Sequence, residues 1–152
     1  MFARTADTID EDLQIQAGAD NLTRDELAEA GITGFFAIAR EWGINNDEAR
    51  ILLGNPSRSR FYELRKGNPA ACHSLGDDEL DRLAYLTGIY AMLNILYSAD
   101  SHTDWLRNES NLPADALYRP WGLGSPLQYM LSGQLKALSD IHEYVNAERG
   151  GM

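Results

Sequence analysis

Asn46-Asp47-Glu48-Ala49-Arg50-Ile51-Leu52-Leu53, then Gly54-Asn55-Pro56, then Ser57-Arg58-Ser59-Arg60-Phe61-Tyr62-Glu63-Leu64-Arg65-Lys66, is the stretch that decides the fold. Asn46 and two acids open a short helix in which Ala49, Ile51, Leu52 and Leu53 point inward. Gly54-Asn55-Pro56 breaks it, because proline lacks a backbone donor and glycine tolerates backbone angles that helices do not use. Ser57 then caps a second helix that runs to about Lys66, with Phe61 and Leu64 as its buried positions. Two short helices joined by a tight break form a helix-turn-helix pattern.

The charge of this stretch stands out. Residues 50–66 hold Arg50, Arg58, Arg60, Arg65 and Lys66 against Glu63 alone, a net +4 on a chain whose overall charge is −10. An acidic protein is repelled by nucleic acid as a whole, so a DNA-binding role has to rest on such a local patch. In a helix-turn-helix the N-terminal half of the second helix meets base edges in the major groove. Here that half carries Ser57, Arg58, Ser59, Arg60 and Tyr62. Arginine pairs in bidentate fashion with guanine, and serine bonds bases or phosphates. Arg65 and Lys66, nearer the helix end, suit phosphates. The bland reading of the same cations is a solvated face that also favours the negative end of the helix dipole.

Working outward toward the N-terminus, residues 1–22 are polar and acidic and read as a tail without a signal peptide, since Asp7, Asp10, Glu11 and Asp12 stand where an apolar core would be. Thr23-Arg24-Asp25-Glu26 is a helix-start signature. It predicts a short helix to Ala30 stopped by Gly31, then a second helix over 33–42 anchored by Phe35, Phe36, Ile38, Ala39 and Trp42. Gly67-Asn68-Pro69 ends the basic helix. A long helix is expected from Asp77 to Ser98, with Leu80, Leu83, Ala84, Tyr90, Leu93 and Ile95 recurring at helical spacing. Its uncharged run, Leu83 to Ala99, spans only about 26 Å as a helix and so reads as a buried core element rather than a membrane span.

Toward the C-terminus, Thr103 to Asn108 reads as one or two helical turns holding Trp105 and Leu106. Ser125-Pro126 starts a short helix, serine as the cap and proline where no hydrogen bond is lost. Gly133 stops it, and a final helix with Leu135, Leu138, Ile141 and Val145 on one face runs to Arg149 before Gly150-Gly151-Met152. No alternating strand pattern occurs, so the expected fold is all-α. The expected division is an acidic tail over 1–22, a helix-turn-helix domain over 23–98 and a small helical domain over 99–152.

Catalytic chemistry has little support. His73, His102 and His142 are scattered, and Asp100, His102 and Asp104 are too few to argue for a metal. Cys72 is the single cysteine and cannot close an internal disulfide, so a reducing cytoplasm is the expected compartment. Neither an enzyme nor a cofactor is expected.

Gly124-Ser125-Pro126-Leu127, Met130-Leu131-Ser132-Gly133 and the helix closing on Arg149-Gly150-Gly151 resemble the toxin-binding domain of Xre/MbcA/ParS-type antitoxins. Trp105-Leu106 and the Pro120–Gly124 turn fit the opening of that domain. The helix-turn-helix and the long helix from Leu80 to Leu96 resemble the Xre-like domain of the same proteins. The resemblance implies a type II toxin–antitoxin system. The partner would be a RES-domain toxin that depletes NAD, blocked when the antitoxin C-terminus covers its active site. It also implies autorepression through operator DNA, and a homodimer or higher oligomer. Leu127, Met130, Leu131 and Tyr144 would supply a docking stripe, with Arg149, Gly150, Gly151 and Met152 nearest the toxin cleft. The leucines equally suit the small domain's own core. A free-standing helix-turn-helix regulator with a C-terminal dimerisation or sensing domain is the alternative, and an adaptor that never touches DNA is a third.

Overall fold

The computed structural model describes residues 23–109 and 119–150, and among them every regular element is helical. The fold is all-α. The expected acidic tail over 1–22 lies outside the described residues.

Helix α1, Arg24–Glu41, starts on a capping box in which Thr23 and Glu26 satisfy each other's backbone donors. The break expected at Gly31 does not occur. Ala28, Ile32, Phe35, Ile38 and Ala39 form one buried stripe that passes through Gly31 without losing register. Glycine serves close packing here: a Cβ at Gly31 would stand 3.2 Å from Leu83 Cδ1 of the long helix.

Helices α2 (Asn46–Leu52) and α3 (Arg58–Lys66) are the predicted pair. The first of them opens at Asn46 as expected, with Asn45 as its cap and Glu48 closing the box. Between them Gly54 (φ 94°) and Asn55 (φ 62°) adopt left-handed backbone, the two residue types that tolerate it best. Arg50 Nε closes the turn by donating to the Pro56 carbonyl at 2.6 Å. Gly67 ends α3 in the left-handed conformation. The next two residues do more than stop it: Asn68 caps and Pro69 opens a further short helix, α4 (Pro69–His73).

Helix α5, Asp77–Leu96, is the axis of the molecule. It packs against α1 on one side and α8 on another. Leu83, Leu86, Ile89, Met92 and Leu93 are buried, whereas Ala84 is exposed and Ile95 is 63% exposed. The expected stripe is therefore rotated. Almost every residue from Leu83 to Tyr97 is apolar or weakly polar, so spacing alone does not choose between neighbouring stripes. A 3-10 turn, Ala99–Ser101, leads into α6 (His102–Arg107). Helices α7 (Pro126–Met130) and α8 (Leu135–Gly150) complete the chain.

The two predicted helical domains share one core. Leu106, Leu127, Met130, Leu138, Ile141 and Val145 belong to the same buried cluster as Ile32, Trp42, Leu52 and Leu64. Polar ties reinforce it. Trp42 Nε1 donates to His102 Nδ1 at 3.4 Å, and Arg107 donates to the Gly43 carbonyl at 3.1 Å. Among the described residues no helix is long and apolar enough to cross a membrane.

Candidate nucleic-acid and partner interfaces

The basic helix separates its cations by role. Ser57 caps α3 by accepting from the Arg60 backbone. Arg58 and Ser59 are exposed, and Tyr62 is 46% exposed, its ring edge-on to Phe61. Lys66 is exposed and paired with Glu63 at 3.5 Å. Arg60 turns the other way. Its guanidinium forms a two-point ion pair with Glu79 of α5, one contact at 2.9 Å, and reaches Ser74 at 3.4 Å. The bond to Glu79 holds the Arg60 pKa above its ordinary value. Arg60 thus ties α3 to α5 through the tip of its guanidinium, unlike the outward Arg58 grouped with it in the expected DNA-reading set. Arg65 is partly committed as well, bonding Asn46 at the start of α2 and lying 5.8 Å from the Phe36 ring. What remains outward is Arg58, Ser59, Tyr62 and Lys66, with Arg65 at the margin.

The C-terminal module is built on caps and aromatics. Ser125, itself buried, accepts from Gln128 N while Gln128 returns a bond to Ser125 N at 3.0 Å. Gln128 also reaches Glu109 at 2.7 Å. Rings then stack edge to face across three segments: Trp105 to Trp121 at 5.7 Å, and Trp121 to Tyr144 at 4.9 Å, with Tyr97 beside Trp105. The Arg119 guanidinium sits 5.7 Å from the Trp121 ring. Such pairs add to simple burial. Burial raises the Tyr144 pKa.

Four of the expected toxin-binding side chains are therefore placed unequally. Leu127 and Met130 are 2% and 1% exposed and belong to the core, which removes them as direct docking contacts. Leu131 and Tyr144 are half-buried. Arg149 and Gly150 are exposed at the end of α8, where Arg149 bonds Asn146 at 3.2 Å. Gly151 and Met152 lie outside the described residues. Sequence spacing did not single out a charged groove on the same module, lined by Arg119, Tyr129, Lys136 and Asp140. There Tyr129 and Lys136 both bond Asp140, at 2.5 and 2.7 Å, next to Arg119, Glu143 and Tyr144. Lys136, then Tyr129, hold the Asp140 carboxyl below its ordinary pKa, and Asp140 in turn raises that of Tyr129. The i to i+4 spacing of Lys136 and Asp140 was the one available signal.

The remaining polar groups do not assemble into chemistry. His102 is fully buried, while Asp100 and Asp104 are exposed. Its Nδ1 accepts from Trp42 Nε1. His73 lies 3.0 Å from Glu29 and 3.6 Å from Asp25 and joins α4 to α1. Cys72 is buried, and burial pushes its thiol pKa up, away from the reactive thiolate. No group of three or more His, Cys, Asp or Glu suited to a metal occurs among the described residues.

The uncharacterized protein y4oB of Sinorhizobium fredii (strain NBRC 101917 / NGR234) is 31% identical over 123 residues, covering 80% of this chain and 86% of the relative. No family model matches the chain, and no solved structure matches it significantly. The chain belongs to the same family as y4oB.

Proposed function

We propose that this member of the y4oB family is an antitoxin with two interfaces. Helix α3 enters the major groove of operator DNA and represses the operon, and the C-terminal module captures a RES-domain, NAD-depleting toxin and covers its active site. The protein acts in the cytoplasm as a homodimer or higher oligomer, without catalysis or cofactor. The observation that carries this reading is the pairing on one core of an outward basic helix with a capped helical module whose last described residues, Arg149 and Gly150, are exposed. The likeness of Gly124–Gly133 and Arg149–Gly151 to Xre/MbcA/ParS antitoxins supports the toxin half.

On this reading Arg58 and Tyr62 address base edges, and Ser59 and Lys66 the phosphates. Leu131 and Tyr144 present half-buried apolar surface to the toxin, with Arg149 and Gly150 leading into its cleft. Tyrosine suits such a contact because it is large, amphipathic and short of rotamers.

The test is co-expression with the toxin encoded beside it, followed by an NAD assay. Deleting Asn146–Met152 is expected to abolish neutralisation and leave operator binding intact. Full rescue of toxin-expressing cells by the shortened chain would rule out the C-terminal contact. Operator binding without any toxic neighbour would instead favour a free-standing regulator.

A further inference from the structure

Arg82 is a buried charge. On α5, it is 7% exposed, and it is the one buried Asp, Glu, Lys or Arg among the described residues. Its Nε donates to Asp78 Oδ2 at 2.7 Å, and its Nη2 donates to the Gly133 carbonyl at 2.8 Å, 51 residues away. Gly54, in the turn between α2 and α3, lies directly against the same guanidinium. A Cβ there would stand 3.1 Å from Arg82 Nε and 3.3 Å from Asp78 Oδ2. Gly133 meanwhile touches the first helix of the pair, since a Cβ on it would lie 3.7 Å from Ile51 Cγ2. A groove between the two turns is lined by Arg50, Asn55 and Arg58 on one side and by Leu131 and Ser132 on the other.

Burying a guanidinium is costly unless its donors are met, and an apolar side chain of similar volume often stabilises a core as well or better. What the guanidinium adds is direction: its N–H bonds fix the Gly133 carbonyl relative to Asp78 on its own helix, while Gly54 meets the same group by contact alone. Both turns it meets have left-handed glycine backbone, φ 94° at Gly54 and 86° at Gly133.

We infer that Arg82 is a positioning residue that locks the helix-turn-helix turn to the Leu131–Gly133 turn of the C-terminal module, so that the two interfaces respond as one unit. A ligand that shifts either turn then alters binding at the other, and by linkage the effect is reciprocal. The lock itself stands on geometry alone, and its consequence for DNA rests on the function proposed above.

The experiment is amide hydrogen exchange by mass spectrometry on the full chain, comparing the parent with Arg82→Met and Asp78→Ala. Methionine keeps length and apolar volume without donors, and Asp78 is exposed enough that its loss leaves the core intact. Exchange is expected to rise about tenfold or more in both segments 53–57 and 131–135, as for the loss of hydrogen bonds to a charged group, with α1 unchanged. Asp78→Ala should raise the same two segments by a smaller factor. A rise in only one segment, in neither, or equally throughout the core would overturn the lock. In a parallel gel shift, Arg82→Met is expected to weaken operator binding about tenfold. If the parent binds no operator, the DNA reading falls while the exchange result still decides the lock.

Discussion

Arg58 and Arg60 look equivalent in the sequence, two arginines in the first turn of a basic helix. Residues two apart on a helix point about 200° apart, however, so one cannot share the other's face. Arg58 faces out, whereas Arg60 is held by Glu79 at side-chain exposures of 28% and 18%. The spacing was legible, but the partner on α5 was not, because nothing local marks Glu79 as an acceptor for α3. The two substitutions should therefore separate. Arg58→Ala is expected to weaken operator binding about tenfold, the loss of one good base contact, with the melting temperature unchanged. Arg60→Met is expected to cost about 1–2 kcal/mol of stability, measured by urea unfolding. Equal melting temperatures for the two variants would contradict this division. His73 gives a prediction of a different kind. Its bond to Glu29, with Asp25 adding attraction, raises its pKa above the ordinary 6.5. A raised folded-state pKa means that the α1–α4 contact stabilises fully below 6.5 and loses that contribution as pH rises through the higher folded value. His73→Gln should flatten the dependence of melting temperature on pH across that window. An unchanged slope would mean that the cluster is a solvated surface contact without linkage.

Helix starts were the most readable elements, because a cap is local chemistry. Thr23 with Glu26, Ser57, and Ser125 before Pro126 all act as their sequence pattern predicts. Glycine was less readable. Gly31 and Gly67 look alike in the chain, yet Gly67 ends a helix while Gly31 sits inside one, and only the approach of Leu83 distinguishes them. Helix α4 was hidden for a related reason: Asn68-Pro69 is both a stop for one helix and a start for the next. The strongest element-level prediction concerns α7. This helix has only five residues, so it depends on its cap and on packing rather than on propensity. Ser125→Ala removes an acceptor from a buried site and should cost about 1 kcal/mol. The comparison is Thr23→Ala, at an exposed cap that begins the described chain, which should cost less. Chemical denaturation of both variants checks the order, and a larger loss at Thr23 would refute it.

At the scale of the molecule, the sequence pattern suggested a helix-turn-helix domain over 23–98 followed by a small helical domain over 99–152, its leucines divided between a docking stripe and a core of its own. That inference treats the C-terminal helices as if they had to supply their own core. They do not: α8 lies along α5, with His142 packed on Tyr85 at 5.4 Å and against Gly88, and Leu127, Met130, Leu138, Ile141 and Val145 enter the common cluster. Burying one such side chain contributes roughly 1.5–3 kcal/mol. A whole domain is stable by only about 5–15 kcal/mol, so removing the covering helices exposes more apolar surface than residues 23–98 can tolerate. The segment 23–98 is therefore expected not to fold alone, and the full chain is expected to unfold in a single transition. Its calorimetric enthalpy should then equal its van't Hoff enthalpy. Deleting Asn146–Met152 should behave quite differently, because residues 146–150 are exposed and the last core contact, Val145, is kept. The two truncations thus form a matched pair, followed by circular dichroism on heating. The short deletion should melt close to the parent, and 23–98 should show no cooperative melt. A sigmoidal, parent-like transition for 23–98 would establish two independent domains and would remove the physical basis for coupling between the two interfaces.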